Sequence, residues 1–469
     1  MELDLVVRNG FVIDGSGSPG RRGDVGVRDG RIVAVGEVDG RGAQEIDADG
    51  HVVAPGFIDG HTHMDAQVFW DAPGSPSCWH GVTSVVMGNC GFTLAPARAG
   101  ARELVVRNLE RAEDISAEAM AAGIEWSWES FSEYLGALDR LDKGINYGTQ
   151  IGHSALRTWA MGERAFEGAA TADDITLMEA QLADALAAGA IGFTTSRSGQ
   201  HETSDGRPVA SRVADWEEVR RLVASMAGTG ALFEVAMASA DLTPDSDGAS
   251  TNKQVHELAL ETGVTVTFGV LPHDRQRLAL VDATVAAGGS MFGQTHSRGA
   301  SIVSSFKTKL PFDWLPEWQE VRAQPLEQQR LALSDPATRA RLVEAAQQMG
   351  RIRDVGAGPR TPDYELSIVW QNPIPPNPSV ADVARQRRID PVEAMIELAL
   401  ETNFEQCFVQ NLVPYTDSQI IETMRHPNMV MTFSDTGAHV SQIADPIHTY
   451  LLAYWVRERQ EFTLEEAVA

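Results

Sequence analysis

From residue 56 onward, short apolar runs alternate with longer segments of helical period, and this alternation restricts the fold of the 469-residue chain more than any other feature. The runs are Phe57-Ile58 leading to His61, Thr83 to Met87, Tyr147 to Ile151, Ala190 to Thr194, Ala231 to Val235, Val264 to Val270, Ser290 to Gln294, and Met429 to Phe433. Between them lie segments such as ADDITLMEAQLADALAAG and DWEEVRRLVASMAGTG, apolar at helical spacing and ending near a glycine suited to a C-cap. Eight strands separated by helices predict parallel βαβ units, and the count predicts an α/β fold closed into a (β/α) barrel. A doubly wound open sheet is the alternative.

The chain before residue 56 reads differently. Leu3, Leu5 and Val7 alternate before Asn9-Gly10, Val25 and Val27 alternate before Asp29-Gly30, and further runs flank Asp49-Gly50. Asn-Gly and Asp-Gly supply the positive φ angles of two-residue hairpins, so a small antiparallel sheet is predicted over residues 1–55, with the barrel over 56–469. The seventh and eighth runs are far apart. The interval, about 297–428, holds Trp314, Trp318 and the Pro-rich stretch Asn372 to Ser379. In a barrel such an insertion leaves from the C-terminal rim, as a lid or as a structural subdomain.

Composition narrows the partners. Lys+Arg 38 against Asp+Glu 65 gives a net charge of −27, which repels phosphate backbones and anionic membranes. A small-molecule substrate is therefore expected, with no nucleic acid and no membrane. Cys78, Cys90 and Cys407 have no CxxC spacing, which excludes a disulfide scaffold. The segment MELDLVVRNG lacks a basic n-region, and no run of about 18 apolar residues occurs, so a soluble cytoplasmic protein is expected.

The chemistry concentrates in APGFIDGHTHMD. His61 and His63 are two apart on a strand, so both imidazoles point to one side where the strand ends. Cys90, in VVMGNCGF, follows the second strand directly, and Asp435, in MVMTFSDTGAH, ends the eighth. Each has a plainer role available: surface histidines, a buried thiol, a helix cap. Barrel closure, however, places strands eight, one and two side by side, so the four side chains converge on a site fit for a divalent cation. A thiolate among the donors favours zinc over magnesium or calcium.

PGFIDGHTH followed by GVTSVVMGNCGF resembles the amidohydrolase superfamily, in particular its D-aminoacylase (N-acyl-D-amino-acid deacylase) group. Ile151 to Arg157, Gly189 to Ser196 and Ser434 to His439 extend the resemblance, which covers residue 1 to about 236 and resumes near 429. It implies a metal-dependent barrel beside a small β-sandwich, of which residues 1–55 are one half, and hydrolysis of an amide bond. By motif, His61, His63 and Cys90 would bind metal and Asp435 would be both ligand and proton shuttle. His153 and Arg157 match a motif at the third strand, where substrate or oxyanion contact is expected.

Two departures from the family pattern stand out. The family carries metal-binding histidines at the ends of strands five and six. Here the fifth reads ALFEVAM, with Ala236 near the histidine position and Glu234 two residues earlier on the same face, and the sixth has no histidine before His273. One zinc ion is therefore expected rather than two, with Glu234 or His296 recruited if the centre is reorganised. The seventh region offers Gln294, His296 and Arg298. The second departure is length: the family continues past the eighth strand to complete the sandwich, whereas this sequence stops at Ala469. Either the sequence is a piece of a longer chain or, if it is complete, an open edge on the N-terminal sheet permits self-association, so a homo-oligomer is one expectation.

The expected reaction is hydrolysis of an N-acyl amino acid, with the D configuration one option. His153 or His296 would donate to the oxyanion, and Arg157, Arg197 or Arg298 would pair with a substrate carboxylate; Gln294 and Glu234 complete the expected substrate-contacting set. A cyclic amide, imide or lactone on the same site is the second reading, and a barrel that binds a small molecule without turnover is the third. His439 and His448, after the eighth strand, are expected to support the site or to belong to helices.

Overall fold

The computed structural model describes residues 3–237, 248–272, 274–352, 355, 358, 360–437 and 447–469. The chain divides into two compact units, Met1–Ile58 with His80–Thr83 and His448–Ala469, and Asp59–Trp79 with Ser84–Ile447. No described helix is long and apolar enough to cross a membrane.

In the smaller unit the strands Arg31–Gly36, Arg21–Arg28, Leu3–Val12 and Gly42–Asp47 lie in that order, and Val52–Val53 also pairs with Leu3–Val12. Only one of the three glycine dipeptides makes a two-residue hairpin: Asp29-Gly30, with φ of 52° and 70°, joins two antiparallel strands. Asn9-Gly10 is instead a bulge within the first strand, where the register slips between Val7 and Gly10. Asn9 takes φ 60° there and its N–H donates to Asp24 Oδ1 at 2.9 Å. A Cβ at Gly10 would lie 2.4 Å from Val53 Cγ2, so the bulge also lets two strands approach. Asp49-Gly50 bends the chain without reversing it. Gly42–Asp47 and Val52–Val53 both run parallel to the first strand, added beside the antiparallel hairpins.

The eight expected strands form as β1 (Phe57–Asp59 and His61–Thr62), β2 (Val82–Met87), β3 (Asn146–Thr149 and Ile151–Gly152), β4 (Gly192–Ser196), β5 (Leu232–Ala236), β6 (Thr265–Gly269), β7 (Met291–Thr295) and β8 (Met429–Met431 and Phe433–Thr436). β3 through β8 pair in parallel sequence, β8 pairs in parallel with β1, and β1, β2 and β3 are neighbours in order. The order runs from one to eight and back to one, which is a barrel and not an open sheet. Three strands break by a single residue where they change neighbour: β1 at Gly60, β3 at Gln150 and β8 at Thr432. The Gly60 N–H donates to the Thr432 carbonyl at 3.0 Å, tying two of the breaks together.

Central strands buried on both faces need near-continuous apolar sequence. Phe193, Phe233, Val266 and Phe268 meet that need and are fully buried. The Phe193 and Phe233 rings stack at 5.8 Å. Each such side chain contributes about 1.5–3 kcal/mol of burial free energy. The helix Ala172–Ala188 starts in a Thr171/Asp174 capping box and stops at Gly189, φ 120°, while Trp216–Ser225 is capped by the Asp215 carboxylate.

The insertion after β7 folds around its own core. Ser301–Ser305, Cys407–Asn411 and Ser367–Val369 form an antiparallel sheet with Cys407–Asn411 in the middle. Phe408 of that middle strand packs with Phe306, Phe312, Trp318, Leu342 and Ile396, and the Trp318 indole N–H donates to the Leu342 carbonyl at 3.0 Å.

Candidate metal centre

β1 delivers His61 and His63, both buried, to the C-terminal end of the barrel. His61 Nδ1 lies 2.7 Å from Gln294 Oε1. An amide oxygen only accepts, so Nδ1 carries the proton and the lone pair is on Nε2. That Nε2 is 3.4 Å from Cys90 Sγ and 3.8 Å from Asp435 Oδ1. His63 presents Nε2 to the same carboxylate oxygen at 3.1 Å, and its Nδ1 faces Glu113 Oε2 at 3.4 Å. One donor atom each from His61, His63 and Cys90 lie within 4.8 Å of one another. A tetrahedral zinc ion separates its nitrogen and sulfur donors by roughly 3.3–3.8 Å, the scale of these contacts.

Cys90 reaches the group through a fastened turn. Gly88 and Gly91 both take φ 83°, and Cys90 between them takes φ 57°, a left-handed conformation that costs a non-glycine residue energy. A Cβ on Gly88 would sit 2.2 Å from the Gln150 carbonyl oxygen. Three backbone N–H groups of the turn end on side chains from β4, β5 and the segment after β1: Gly88 on Asp65 Oδ2 at 3.1 Å, Cys90 on Glu234 Oε2 at 2.8 Å, and Gly91 on Thr194 Oγ1 at 3.0 Å. Asp435 is also left-handed, at φ 60°. Both strained residues are candidate ligands.

The electrostatics match a cation. Burial pushes the Cys90 thiol well above its ordinary range, and Glu234, Glu113 and Asp435 push it further. Burial raises the Glu234 carboxyl to about 8 and the Asp65 carboxyl to about 7. Burial holds His61 down at about 3, so it is neutral and able to ligate. Burial opposes protonation of His63 as well, but the Glu113 and Asp435 carboxylates overcome it and hold His63 up at about 9. Such a crowd of buried acidic groups is relieved by a divalent ion, which stabilises their ionised forms. Glu234 Oε1, buried and without a hydrogen-bond partner among the described residues, is one more acceptor available to it. Two imidazole Nε2 atoms, a thiol and a carboxylate are a donor set that zinc accepts.

A cavity of about 150 Å³ opens on this group. Besides His61, His63, Cys90, Asp435 and Glu234, its walls include Glu113, His201, Arg277 and, from the insertion, Arg360. Of the other residues expected at the site, Gln294 orients His61 and is not in the wall. His153 and Arg157 do not reach the cavity: a helix begins at His153, so its ring is turned away from the barrel mouth. Its Nδ1 meets Thr195 Oγ1 and its Nε2 meets Glu218 Oε1, each at 2.8 Å, and Arg157 pairs with the other Glu218 oxygen. Arg197 donates to the Ala214 carbonyl at 2.7 Å and lies over the Trp216 ring. His296 is buried with its ring 4.7 Å from Phe433, and neither it nor Arg298 lines the cavity. His448 stacks on Phe57, while His273 and His439 lie outside the described residues. The sequence reading missed Glu113, His201, Arg277 and Arg360. His201 alone had a usable signal, its place in the loop after β4.

A model described as the amidohydrolase family matches residues 44–469. A D-aminoacylase of Alcaligenes xylosoxydans xylosoxydans is 36% identical over 194 residues, 41% of this chain and 37% of that protein. The chain thus spans little more than a third of the length of the curated relatives it matches. Among solved structures, a D-aminoacylase with a binuclear metal centre superposes with a TM-score of 0.62 at 23% identity, covering 99% of this chain and 83% of the other. An N-acyl-D-glutamate deacylase from Bordetella bronchiseptica, complexed with zinc and a phosphonate inhibitor, superposes with a TM-score of 0.61 at 24% identity, covering 100% and 84%. At these identities the two superpositions bear on the fold.

Proposed function

We propose that this chain, which belongs to the amidohydrolase family, hydrolyses the amide bond of N-acyl-D-amino acids with one zinc ion. The observation that carries the proposal is the convergence of His61, His63 and Cys90 donor atoms within 4.8 Å, with Asp435 Oδ1 3.1 Å from His63 Nε2, in the wall of one cavity. The D configuration is taken from the relatives, a D-aminoacylase and two D-amino-acid deacylases.

His61, His63 and Asp435 would hold the ion, with Cys90 as a fourth ligand. Bound there, zinc supplies an acidified water and a Lewis acid for the substrate carbonyl. Asp435, about a quarter exposed, is placed to take the proton of the attacking water and to deliver it to the leaving nitrogen. Gln294 keeps the His61 lone pair on Nε2 throughout. Arg277, clamped by the Met237 carbonyl at 2.7 Å and by Asp274 at 3.2 Å, and Arg360 place positive charge in the wall, which suits a carboxylate-bearing substrate.

The test is a panel of N-acetyl-D- and N-acetyl-L-amino acids, with cyclic imides and lactones, offered to zinc-loaded protein. Hydrolysis of the D series at rates that vanish on metal removal is expected. Turnover confined to cyclic substrates, or undiminished after chelation, overturns the proposal.

A further inference from the structure

We propose that His201, oriented by Ser196, donates the hydrogen bond that receives the substrate carbonyl oxygen as it becomes an oxyanion. The inference rests on the amide-hydrolase reading above and assigns that site a catalytic residue in place of His153 and His296.

Ser196 Oγ accepts the Ser198 N–H at 3.2 Å and lies 2.7 Å from His201 Nδ1. A hydroxyl has a single proton to give, and among the described residues its one acceptor is that Nδ1. Ser196 therefore donates, Nδ1 accepts, and the imidazole carries its own proton on Nε2. The two ring nitrogens sit on different edges, so with Nδ1 turned back to the end of β4 the Nε2–H faces the other way. His201 lines the cavity shared with His61, His63, Cys90 and Asp435, and the Nε2 edge is the one its contact with Ser196 leaves to face it. The Phe92 ring packs against the imidazole at 5.2 Å between centroids.

Three features suit this donor to its task. Nε2 has no hydrogen-bond partner among the described residues, so the bond it makes to substrate displaces nothing from the protein. Burial lowers His201 to about 4, which leaves it a neutral donor at neutral pH, with no charge to compete with a cation nearby. His153 cannot serve, since both its nitrogens are engaged by Thr195 and Glu218. In the reaction, the water oxygen bonds to the carbonyl carbon and the C=O pair moves onto oxygen, where His201 donates without losing its proton. When the C–N bond breaks, that pair re-forms C=O and the leaving nitrogen takes the proton held by Asp435.

The test compares zinc-loaded wild type with His201→Leu, His201→Gln and Ser196→Ala. Calorimetry would measure binding of the methylphosphonamidates of D-leucine and D-glutamate, which are tetrahedral and anionic at the reacting centre. Removing one such donor costs about 10²–10³ in kcat, so His201→Leu is expected to lose that factor in phosphonamidate affinity with KM and zinc content unchanged. His201→Gln, which keeps an N–H, recovers part of the loss, and Ser196→Ala loses less because the tautomer is no longer enforced. Equal phosphonamidate binding by wild type and His201→Leu overturns the assignment, as does a loss that tracks zinc content or that falls on KM alone. If His201→Leu does not fold, the Gln and Ala variants decide by the same readings. Binding of the phosphonamidates without hydrolysis of any N-acyl amino acid would refute the amide-hydrolase reading while His201 is still judged by affinity, and failure to bind the wild type overturns both.

Discussion

Glu113→Gln should weaken zinc binding while leaving the fold intact. Glu113 is buried with Oε2 3.4 Å from His63 Nδ1, and the opposite nitrogen of that ring faces Asp435 Oδ1 at 3.1 Å, where it would meet the proposed ion. A carboxylate behind a ligating imidazole fixes its orientation and raises its basicity, and losing such a partner typically costs 10–100-fold in affinity. Coulomb's law gives a similar figure. Adding roughly 4 Å from Nδ1 through the ring to a coordinated ion gives a separation near 7 Å. Where His63 is already neutral, above about pH 9, zinc that replaces the Cys90 proton adds one unit of positive charge, which at that distance and an effective dielectric of about 20 is worth about 2 kcal/mol, or some 30-fold. Gln is nearly isosteric, so the cavity and the ring position persist while the charge disappears. The assay is competition with a chromophoric chelator, read beside the urea denaturation of the metal-free protein. An affinity within a factor of about two of wild type, with the fold preserved, would refute the claim that Glu113 acts through His63.

Two further outcomes follow from the buried ionic groups. Glu218→Ala strands the Arg157 charge in the interior and should cost about 3–5 kcal/mol by urea denaturation, with the zinc content of the folded protein unchanged; a change in zinc affinity instead would return His153 and Arg157 to the site. Acid should destabilise the protein through His201, whose ordinary value of 6.5 is lowered to about 4 by burial. Its contribution is present above pH 6.5 and is lost as pH falls toward 4, because the unfolded chain takes up the proton first. The stability difference between wild type and His201→Gln should therefore be flat above pH 6.5 and shrink below it, and a difference independent of pH contradicts the burial of a neutral imidazole.

The strands and the four candidate ligands were legible because period and adjacency determine them. Two-residue spacing puts His61 and His63 on one side, and barrel closure brings β8, β1 and β2 together. Glu234 was readable for the same reason, being in phase with Ala236, and both line the cavity. Asn9-Gly10 was misread because the dipeptide signals a left-handed backbone and nothing more; a bulge satisfies that signal as well as a turn. His153 and Arg197 failed for a related reason. Both were correctly placed at strand ends, but a helix starting at His153 and the Trp216 ring beneath Arg197 turn the side chains elsewhere, toward partners distant in sequence. Glu113 and Arg360 lie in irregular segments whose paths no periodicity determines, so their arrival at the site is visible only in three dimensions.

The central claim is that His61, His63, Cys90 and Asp435 grip one ion, and substitution with cobalt(II) tests it most directly. A thiolate ligand gives cobalt a sulfur-to-metal charge-transfer band, so titration of metal-free protein should produce that band with an endpoint at one ion per chain. Cys90→Ala should abolish the band and His63→Ala should weaken binding. A protein that takes up no cobalt, or one whose charge-transfer band survives in Cys90→Ala, would contradict the account.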